Sequence, residues 1–153
     1  MEKIKQSFKK NESFYIRDGW FGKAIQAIKE TNSNIFFKND GIINLGIGAN
    51  MVKGLKYWLT AADVIEGKDN HLSAFGELVN KYDPYLDRQF TWFLIHFNLV
   101  CNENECPIFY SVFNHASKAF EKEHMIETLK EIYSNINPKY VEADFNVFLH
   151  SYI

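Results

Sequence analysis

The most informative segment of the chain is residues 35–73, IFFKNDGIINLGIGANMVKGLKYWLTAADVIEGKDNHLS. Its patterns predict a short helix, a turn that contains glycines, a longer helix and a hairpin rich in turn residues. This order is typical of a winged helix-turn-helix, which places one helix in the major groove of DNA. The segment therefore predicts a DNA-binding module.

The longer helix, predicted over residues 50–62, carries two faces of different chemistry. The apolar residues that follow helical spacing are Met51, Leu55, Trp58, Leu59 and Ala62. The opposite face, which we predict to contact phosphates, sugars or base edges, holds Asn50, Lys53, Lys56, Tyr57 and Thr60. Asn50 also suits the N-cap of this helix, and we favour the cap for it and DNA contact for the two lysines. Exposed lysines are also common on a merely solvated helix face.

The hairpin is predicted from residues 64–66, the turn 67–70, and residues 71–73. It would form the wing, with Lys68 and Asn70 at the tip as further DNA contacts. Glu66 and Asp69 would repel the phosphate backbone, so we expect the wing to stabilise the module more than it binds DNA.

Four runs across the chain carry a resemblance to a known family. They are RDGWFGKAIQAIK (17–29), LGIGANMVKGLKYWL (45–59), KYDPYLDRQFTWFLIHFNLV (81–100) and IFYSVFN (108–114). In this order they resemble the bacterial domain-of-unknown-function 4007 family. Members are longer, so the resemblance implies that this chain matches the N-terminal part of the family, either as a fragment or as a naturally short member.

The resemblance implies a link to DNA-modification or phage-defence systems, and some relatives carry a phosphoadenosine phosphosulfate reductase label. The residues do not support the reductase. Its phosphate loop would follow a strand, whereas Gly46 and Gly48 lie between two predicted helices.

The rest of the chain is predicted to be helical. A first helix is expected from about Gly19 to Thr31 with Asp18 as N-cap.

Asp83-Pro84 marks a boundary, and we divide the chain into a winged helix-turn-helix domain at 1–80 and an α-helical domain at 81–153. The fold class is thus mainly α, with a helical bundle after the hairpin. Its predicted buried stripes are Leu86, Phe90, Phe93, Leu94 and Phe97; Phe109, Val112, Phe113, Ala116 and Phe120; Met125, Leu129, Ile132 and Tyr133; and Val141, Phe145, Phe148 and Tyr152.

Composition and charge fit a globular binding protein. The chain has 153 residues, 46% of them hydrophobic, and a net charge of -2. Residues 1–62 hold ten Lys and Arg against five Asp and Glu, whereas residues 81–153 hold six against ten. The lysines at positions 3, 5, 9 and 10 suit either an arm on phosphate or a solubilising tail, and we favour the tail. No secretory signal or membrane span is visible, so we expect a cytoplasmic protein.

Catalytic and metal sites are weakly indicated. Cys101 and Cys106 could form half of a zinc site, but the sequence has no second pair of Cys or His ligands at suitable spacing. We therefore interpret them as ordinary loop cysteines, in preference to zinc ligands or a disulfide. Acid–base catalysis would require a histidine at 96, 115, 124 or 150 to lie beside a carboxylate at 83, 87, 121 or 123. The sequence contains no known catalytic motif that would bring such a pair together. We therefore predict no enzyme activity, no cofactor and no metal.

The prediction is a cytoplasmic accessory or regulatory protein that binds double-stranded DNA through helix 50–62. The alternative is a winged-helix scaffold that binds protein and not DNA. In either case, the acidic helical domain offers a surface for a protein partner or a homodimer.

Overall fold

A computed structural model describes residues 6–116 and 119–152. In these residues the order is α1 (Trp20–Thr31), α2 (Asp40–Leu45), α3 (Ala49–Ala61), β1 (Ile65–Glu66), β2 (His71–Leu72), α4 (Ala74–Tyr82), α5 (Gln89–Cys101), α6 (Pro107–His115), α7 (Lys122–Ile132) and α8 (Pro138–His150). The two strands form one antiparallel sheet. The chain is therefore mainly helical with a small sheet, as the sequence predicts. Across the described residues, no helix combines the length and apolar character needed to cross a bilayer.

Helix α1 packs an apolar face against α2 and α3. Phe21, Ala24 and Ile25 are at most 1% exposed because their spacing puts them on one side of the helix. The predicted N-cap is wrong, since the cap position is Gly19 with φ 75° and Asp18 makes no capping hydrogen bond. A left-handed backbone here suits glycine, and it leaves the Asp18 side chain exposed.

The turn between α2 and α3 follows the predicted order. α2 ends at Gly46, whose φ of 65° is left-handed, and its N–H donates to the Ile42 carbonyl at 3.0 Å. α3 then begins at Ala49 with Gly48 as N-cap, so the prediction that Asn50 caps this helix is wrong. Asn50 lies one residue inside the first turn, where its side chain is exposed. The predicted apolar face is buried at Leu55, Trp58, Leu59 and Ala62 and half-buried at Met51.

The hairpin has the predicted position and turn. Ile65 pairs with Leu72 and Glu66 with His71, around the turn 67–70. Ile65 and Leu72 point into the core, whereas Glu66 and His71 are exposed. The hairpin therefore closes one side of the core with its apolar residues and leaves its charged residues at the surface.

The junction after α4 is organised by Asp83. α4 ends at Tyr82, as the Asp-Pro pair predicts. The Asp83 carboxylate accepts hydrogen bonds from the backbone N–H groups of Asp87 and Arg88 and from the Thr91 hydroxyl. Burial alone would raise the pKa of Asp83, but these donors hold it below its usual value. The side chain thus fixes the entry into α5.

Helix α5 buries a different face from the one predicted. Its buried residues are Thr91, Ile95 and Leu99, whereas Phe90, Phe93 and Phe97 are exposed. The stripe that the sequence predicts to be core is therefore wrong for these three phenylalanines. Residues 89–101 contain no Asp, Glu, Lys or Arg, so their pattern cannot distinguish the core side from the outer side.

The last three helices bury most of their predicted stripes. Phe109, Val112, Met125, Leu129, Tyr133, Val141, Phe145 and Phe148 are all buried. Phe113, Ile132 and Tyr152 are instead exposed, which corrects the prediction for those positions. α6 ends at His115, so Phe120 lies outside it and packs from the following loop against Phe145.

The two predicted domains share buried contacts. The boundary predicted at residue 80 falls inside α4, two residues before its end. The Trp58 ring lies edge-on to Phe109, with centroids 5.5 Å apart, and one cluster of buried side chains runs from Trp20 to Phe148. The division into 1–80 and 81–153 stays a prediction.

Residues 7–14 form a segment that we call the N-terminal strap, because it joins α3 to α8. The Lys9 N–H and the Asn11 amide both donate to the Asp144 carboxylate, at 2.8 and 3.1 Å. The Trp58 indole donates to the Phe14 carbonyl at 2.8 Å. These contacts show that residues 7–10 are not the solvated tail that we favoured from the sequence. Lys3 and Lys5 lie outside the described residues.

Candidate nucleic-acid interface

The exposed residues of α3 form a narrow line along the helix. We call this line the α3 strip; it consists of Asn50, Lys53, Lys56 and Thr60, all exposed. On one side of it, Leu55 and Leu59 face the core. On the other side the N-terminal strap lies so close that a Cβ atom at Gly54 would be 2.8 Å from the Asn11 carbonyl oxygen. Four of the five residues on this helix that are predicted to bind DNA are thus exposed. Asn50 is among them, because the helix start excludes its role as the cap.

The α3 strip borders a groove of about 440 Å³ that collects positive charge. Lys53 and Lys56 line it from α3, and Lys10 lines it from the N-terminal strap. In the described parts of the chain, no carboxylate lies within 4.0 Å of the amino group of any of the three lysines. Their charges are therefore available to an anionic ligand.

Two carboxylates line the same groove. Glu12 comes from the N-terminal strap and Glu105 from the loop before α6. Glu105 accepts a hydrogen bond from the Ser7 hydroxyl at 2.8 Å, which ties it to the strap. The groove is therefore only modestly positive, with three lysines against two glutamates.

The sequence predicts that Tyr57 presents its hydroxyl to DNA, but this hydroxyl is not free. The side chain is half-buried, and its hydroxyl donates to the Glu105 carbonyl at 2.7 Å. Burial raises the pKa of Tyr57, which keeps this hydroxyl protonated and able to donate. Tyr57 therefore joins α3 to the loop before α6 and does not offer a donor to DNA. Thr60 is exposed, and its hydroxyl donates to the Lys56 carbonyl at 2.9 Å.

The hairpin offers one of its two predicted contacts. Lys68 is exposed in the turn. Asn70 is only 7% exposed and its amide donates to the Asn34 side chain at 3.0 Å, so the placement of Asn70 at an open tip is wrong. Asp69 hydrogen-bonds His71 at 2.7 Å, and this contact raises the pKa of His71 and lowers that of Asp69. The turn therefore carries a hydrogen-bonded Asp69–His71 pair beside the exposed Lys68.

Among the described residues, none of the histidines at 96, 115, 124 and 150 forms an ion pair with a carboxylate at 83, 87, 121 or 123. His96 bonds the Tyr152 hydroxyl through Nδ1 at 2.8 Å, and partial burial lowers its pKa. It lines a cavity of about 330 Å³ with Arg17 and Asp18, not with Asp83 or Asp87. His115 Nδ1 instead contacts the Ser111 carbonyl at 2.8 Å. Around α7, the charged side chains Glu121, Glu123 and His124 are exposed at the start of the helix.

Metal-binding groups do not converge either. Within residues 6–116 and 119–152, no three His, Cys, Asp or Glu side chains are grouped so that they could hold an ion. Cys101 is exposed and Cys106 is buried, and neither forms a disulfide. Burial raises the pKa of Cys106 to about 12, so its thiol stays protonated at neutral pH.

Helices α4 and α5 form an apolar surface that the sequence patterns did not predict. We call it the α4–α5 face; it consists of Leu78 (56% exposed), Tyr82 (58%), Phe90 (69%), Phe93 (62%) and Phe97 (54%). A groove of about 310 Å³ runs between the two helices. The signal for this face is the number of large apolar residues in 89–101, which exceeds what the one buried stripe of a surface helix holds.

Comparison with solved structures shows the fold. The chains described as "Magnesium ion-bound SspB crystal structure" and "SspB crystal structure" match with TM-scores of 0.73 and 0.71, at 22% sequence identity in both cases. Each alignment covers 93% of this chain and 48% of the SspB chain, so the present chain spans about half the length of these proteins. No curated protein matches the chain.

The family resemblance seen in the sequence is confirmed over nearly the whole chain. The matching family model covers residues 8–153 and is described as a protein of unknown function, DUF4007. The match begins in the N-terminal strap and includes every described helix and strand. The chain belongs to the DUF4007 family.

Proposed function

We propose that this protein binds duplex DNA, with α2, α3 and the hairpin acting as a winged helix-turn-helix and the α3 strip facing the major groove. The observation that carries the proposal is the groove beside α3, where Lys10, Lys53 and Lys56 lie without carboxylate partners among the described residues. The proposed role is that of a cytoplasmic binding protein in a DNA-modification or phage-defence system, not that of an enzyme.

The chemistry of the strip suits contact with a duplex. A lysine that neutralises a phosphate releases condensed counterions, which favours binding most at low salt. Asn50 lies in the first turn of α3, and residues in the first turns of a recognition helix are the ones that reach base edges. An asparagine amide can form two hydrogen bonds with adenine. Thr60, Lys68 and the two α3 lysines would contact the backbone.

The modest positive charge of the groove determines how tightly we expect the protein to bind DNA. The three lysines of the groove would give a slope of about −2.7 for the logarithm of the affinity against the logarithm of the salt concentration, before any contact by Lys68. Glu12 and Glu105 work against the lysines at close range. We therefore expect weak binding to random sequence that nearly vanishes at physiological salt.

The test is fluorescence anisotropy with a random-sequence duplex, titrated at several salt concentrations. The Lys53→Ala/Lys56→Ala variant should bind more weakly and lose about two units of the salt slope. A matched control is Lys122→Ala/Lys139→Ala, which removes two exposed lysines at the starts of α7 and α8. If both double variants weaken binding equally, the contact is general charge attraction and the α3 strip is not the site.

A variant that strengthens binding gives a sharper test. Glu12 is exposed and lines the groove, so Glu12→Gln removes repulsion without disturbing the core. We expect higher affinity at low salt and the same affinity at high salt, where the charge is screened. No binding by the wild-type chain at low salt would reject the DNA proposal.

The second candidate function is a protein-interaction scaffold, and the α4–α5 face favours it. Leu78, Tyr82 and Phe90 line one groove, and Phe93 and Phe97 follow Phe90 on the exposed side of α5. A cluster of exposed apolar side chains is typical of a protein-binding surface. The phosphosulfate reductase alternative has less support, because the only sheet in the described residues has two antiparallel strands. A nucleotide-binding α/β enzyme needs a parallel sheet.

A further inference from the structure

We propose that the α4–α5 face joins two copies of this chain into a twofold-symmetric dimer. The proposal does not depend on DNA binding, since the face and the α3 strip have no residue in common. It rests on the shape and size of the face and on the absence of Asp, Glu, Lys and Arg from residues 89–101 of α5.

The face has a raised part and a recessed part. Phe90, Phe93 and Phe97 follow one another at three- and four-residue spacing, so they form a ridge along α5. Beside the ridge, the groove between α4 and α5 has apolar walls that include Leu78, Tyr82 and Leu94, and Asp83 and Arg88 also line it. A twofold interface must be complementary to itself, and a ridge beside a groove meets that requirement.

The size of the face suits a dimer. At roughly 200 Å² for a fully exposed side chain of this type, the exposed fractions correspond to about 600 Å² of apolar surface in each copy. Two copies would bury about 1,200 Å², which is the lower limit of a stable specific interface. The apolar surface of one copy, about 600 Å², is also at the upper end of the range for apolar patches on monomers, about 300–600 Å².

The chemistry of the face excludes a strongly charged partner. Residues 89–101 carry no Asp, Glu, Lys or Arg, so nothing on the ridge would pair with an acidic or basic peptide. At the edge, the Lys81 amino group lies 4.8 Å from the centre of the Tyr82 ring. Asp87 and Arg88 are exposed beside the ridge and supply both signs of charge. A polar rim with both charges around an apolar centre suits a second copy of the same surface.

The experiment is sedimentation equilibrium of the full chain over a wide concentration range. The wild type should dimerise, and Phe93→Glu should be monomeric because it places a carboxylate at the centre of the interface. The matched control is Ile43→Glu, at a residue of α2 that is 78% exposed and outside the face. It should dimerise like the wild type. If Phe93→Glu alters the far-ultraviolet circular dichroism, Phe97→Glu replaces it, since Phe97 also points outward.

A second measurement tests whether α5 lies in the dimer interface. Cys101 lies four residues after Phe97 on the same side of α5 and is exposed, whereas Cys106 is buried. A nitroxide on Cys101 should therefore report the partner copy by dipolar spectroscopy. α5 is about 20 Å long, so two labels on paired helices would lie within roughly 50 Å of each other.

The outcomes separate clearly. Concentration-dependent dimers that Phe93→Glu abolishes and Ile43→Glu preserves, with a dipolar signal from Cys101, would support the proposal. A wild type that is monomeric at all concentrations would overturn it and assign the face to a different protein. Dimers that persist in Phe93→Glu would also overturn it, because the contact would then lie elsewhere.

Discussion

Replacing Gly54 by alanine tests whether the N-terminal strap is a structural part of the molecule. In an ordinary exposed helix interior this change adds about 1 kcal/mol to the free energy of unfolding, because alanine is the better helix former. Gly54 is different because it lies under the strap. The new Cβ atom would be 2.8 Å from the Asn11 carbonyl oxygen and 3.4 Å from the Phe14 ring. The backbone atom must move, and the strap must move with it.

The cost can be worked out from the contacts that hold the strap. Lys9 and Asn11 donate to the buried carboxylate of Asp144, and Phe14 accepts from the Trp58 indole. A hydrogen bond contributes about 1 kcal/mol net, and roughly 1.5–3 kcal/mol when one partner is charged. Weakening two of these bonds outweighs the gain in helix propensity. We therefore expect Gly54→Ala to lower the free energy of unfolding by about 1–3 kcal/mol.

Urea denaturation of the two proteins measures the difference. The control is Thr60→Ala in the same helix, at an exposed position, which should stabilise by about half a kcal/mol. In an Asn11→Ala background, where the strap is already loosened, the cost of Gly54→Ala should shrink. A Gly54→Ala protein that is about 1 kcal/mol more stable than the wild type would show that the strap does not lie on α3.

Two further variants check the core and the cysteines. Leu55 is 1% exposed, so Leu55→Ala should cost about 2–5 kcal/mol, whereas Lys56→Ala at the next position should change stability by less than about 0.5 kcal/mol; equal thermal melting of both variants would contradict the orientation of α3. A thiol reagent should modify one cysteine in the native protein, Cys101, and two in denaturant, because Cys106 is 2% exposed and burial raises its pKa to about 12. Two rapidly reacting thiols in the native protein would show that Cys106 is accessible.

Local patterns predicted the elements around α3. The helical spacing of Leu55, Trp58 and Leu59 gave the buried side, and the turn residues after Glu66 gave the hairpin. These signals work because each depends on neighbours within a few residues. The helix-breaking Asp83-Pro84 pair worked for the same reason.

Distant partners explain the errors at the site. The Tyr57 hydroxyl donates a hydrogen bond to the Glu105 carbonyl, 48 residues away in the sequence. The Asn70 amide donates to the Asn34 side chain, 36 residues away. No pattern within one helix or one turn reveals such partners. In α5 the failure has another cause, since residues 89–101 contain no charged residue that would mark the outer side. The spacing of Phe90, Phe93 and Phe97 therefore suited burial equally well.

The strap also has a consequence for how the chain matures during synthesis. Lys9 and its partner Asp144 are 135 residues apart, so the ribosome releases one long before the other. At a translation rate of about 5–20 residues per second, the strap waits on the order of ten seconds for its partner. During that time the side of α3 at Gly54 and Trp58 lacks its cover, and the nascent chain offers a chaperone an aromatic surface that the finished protein no longer exposes.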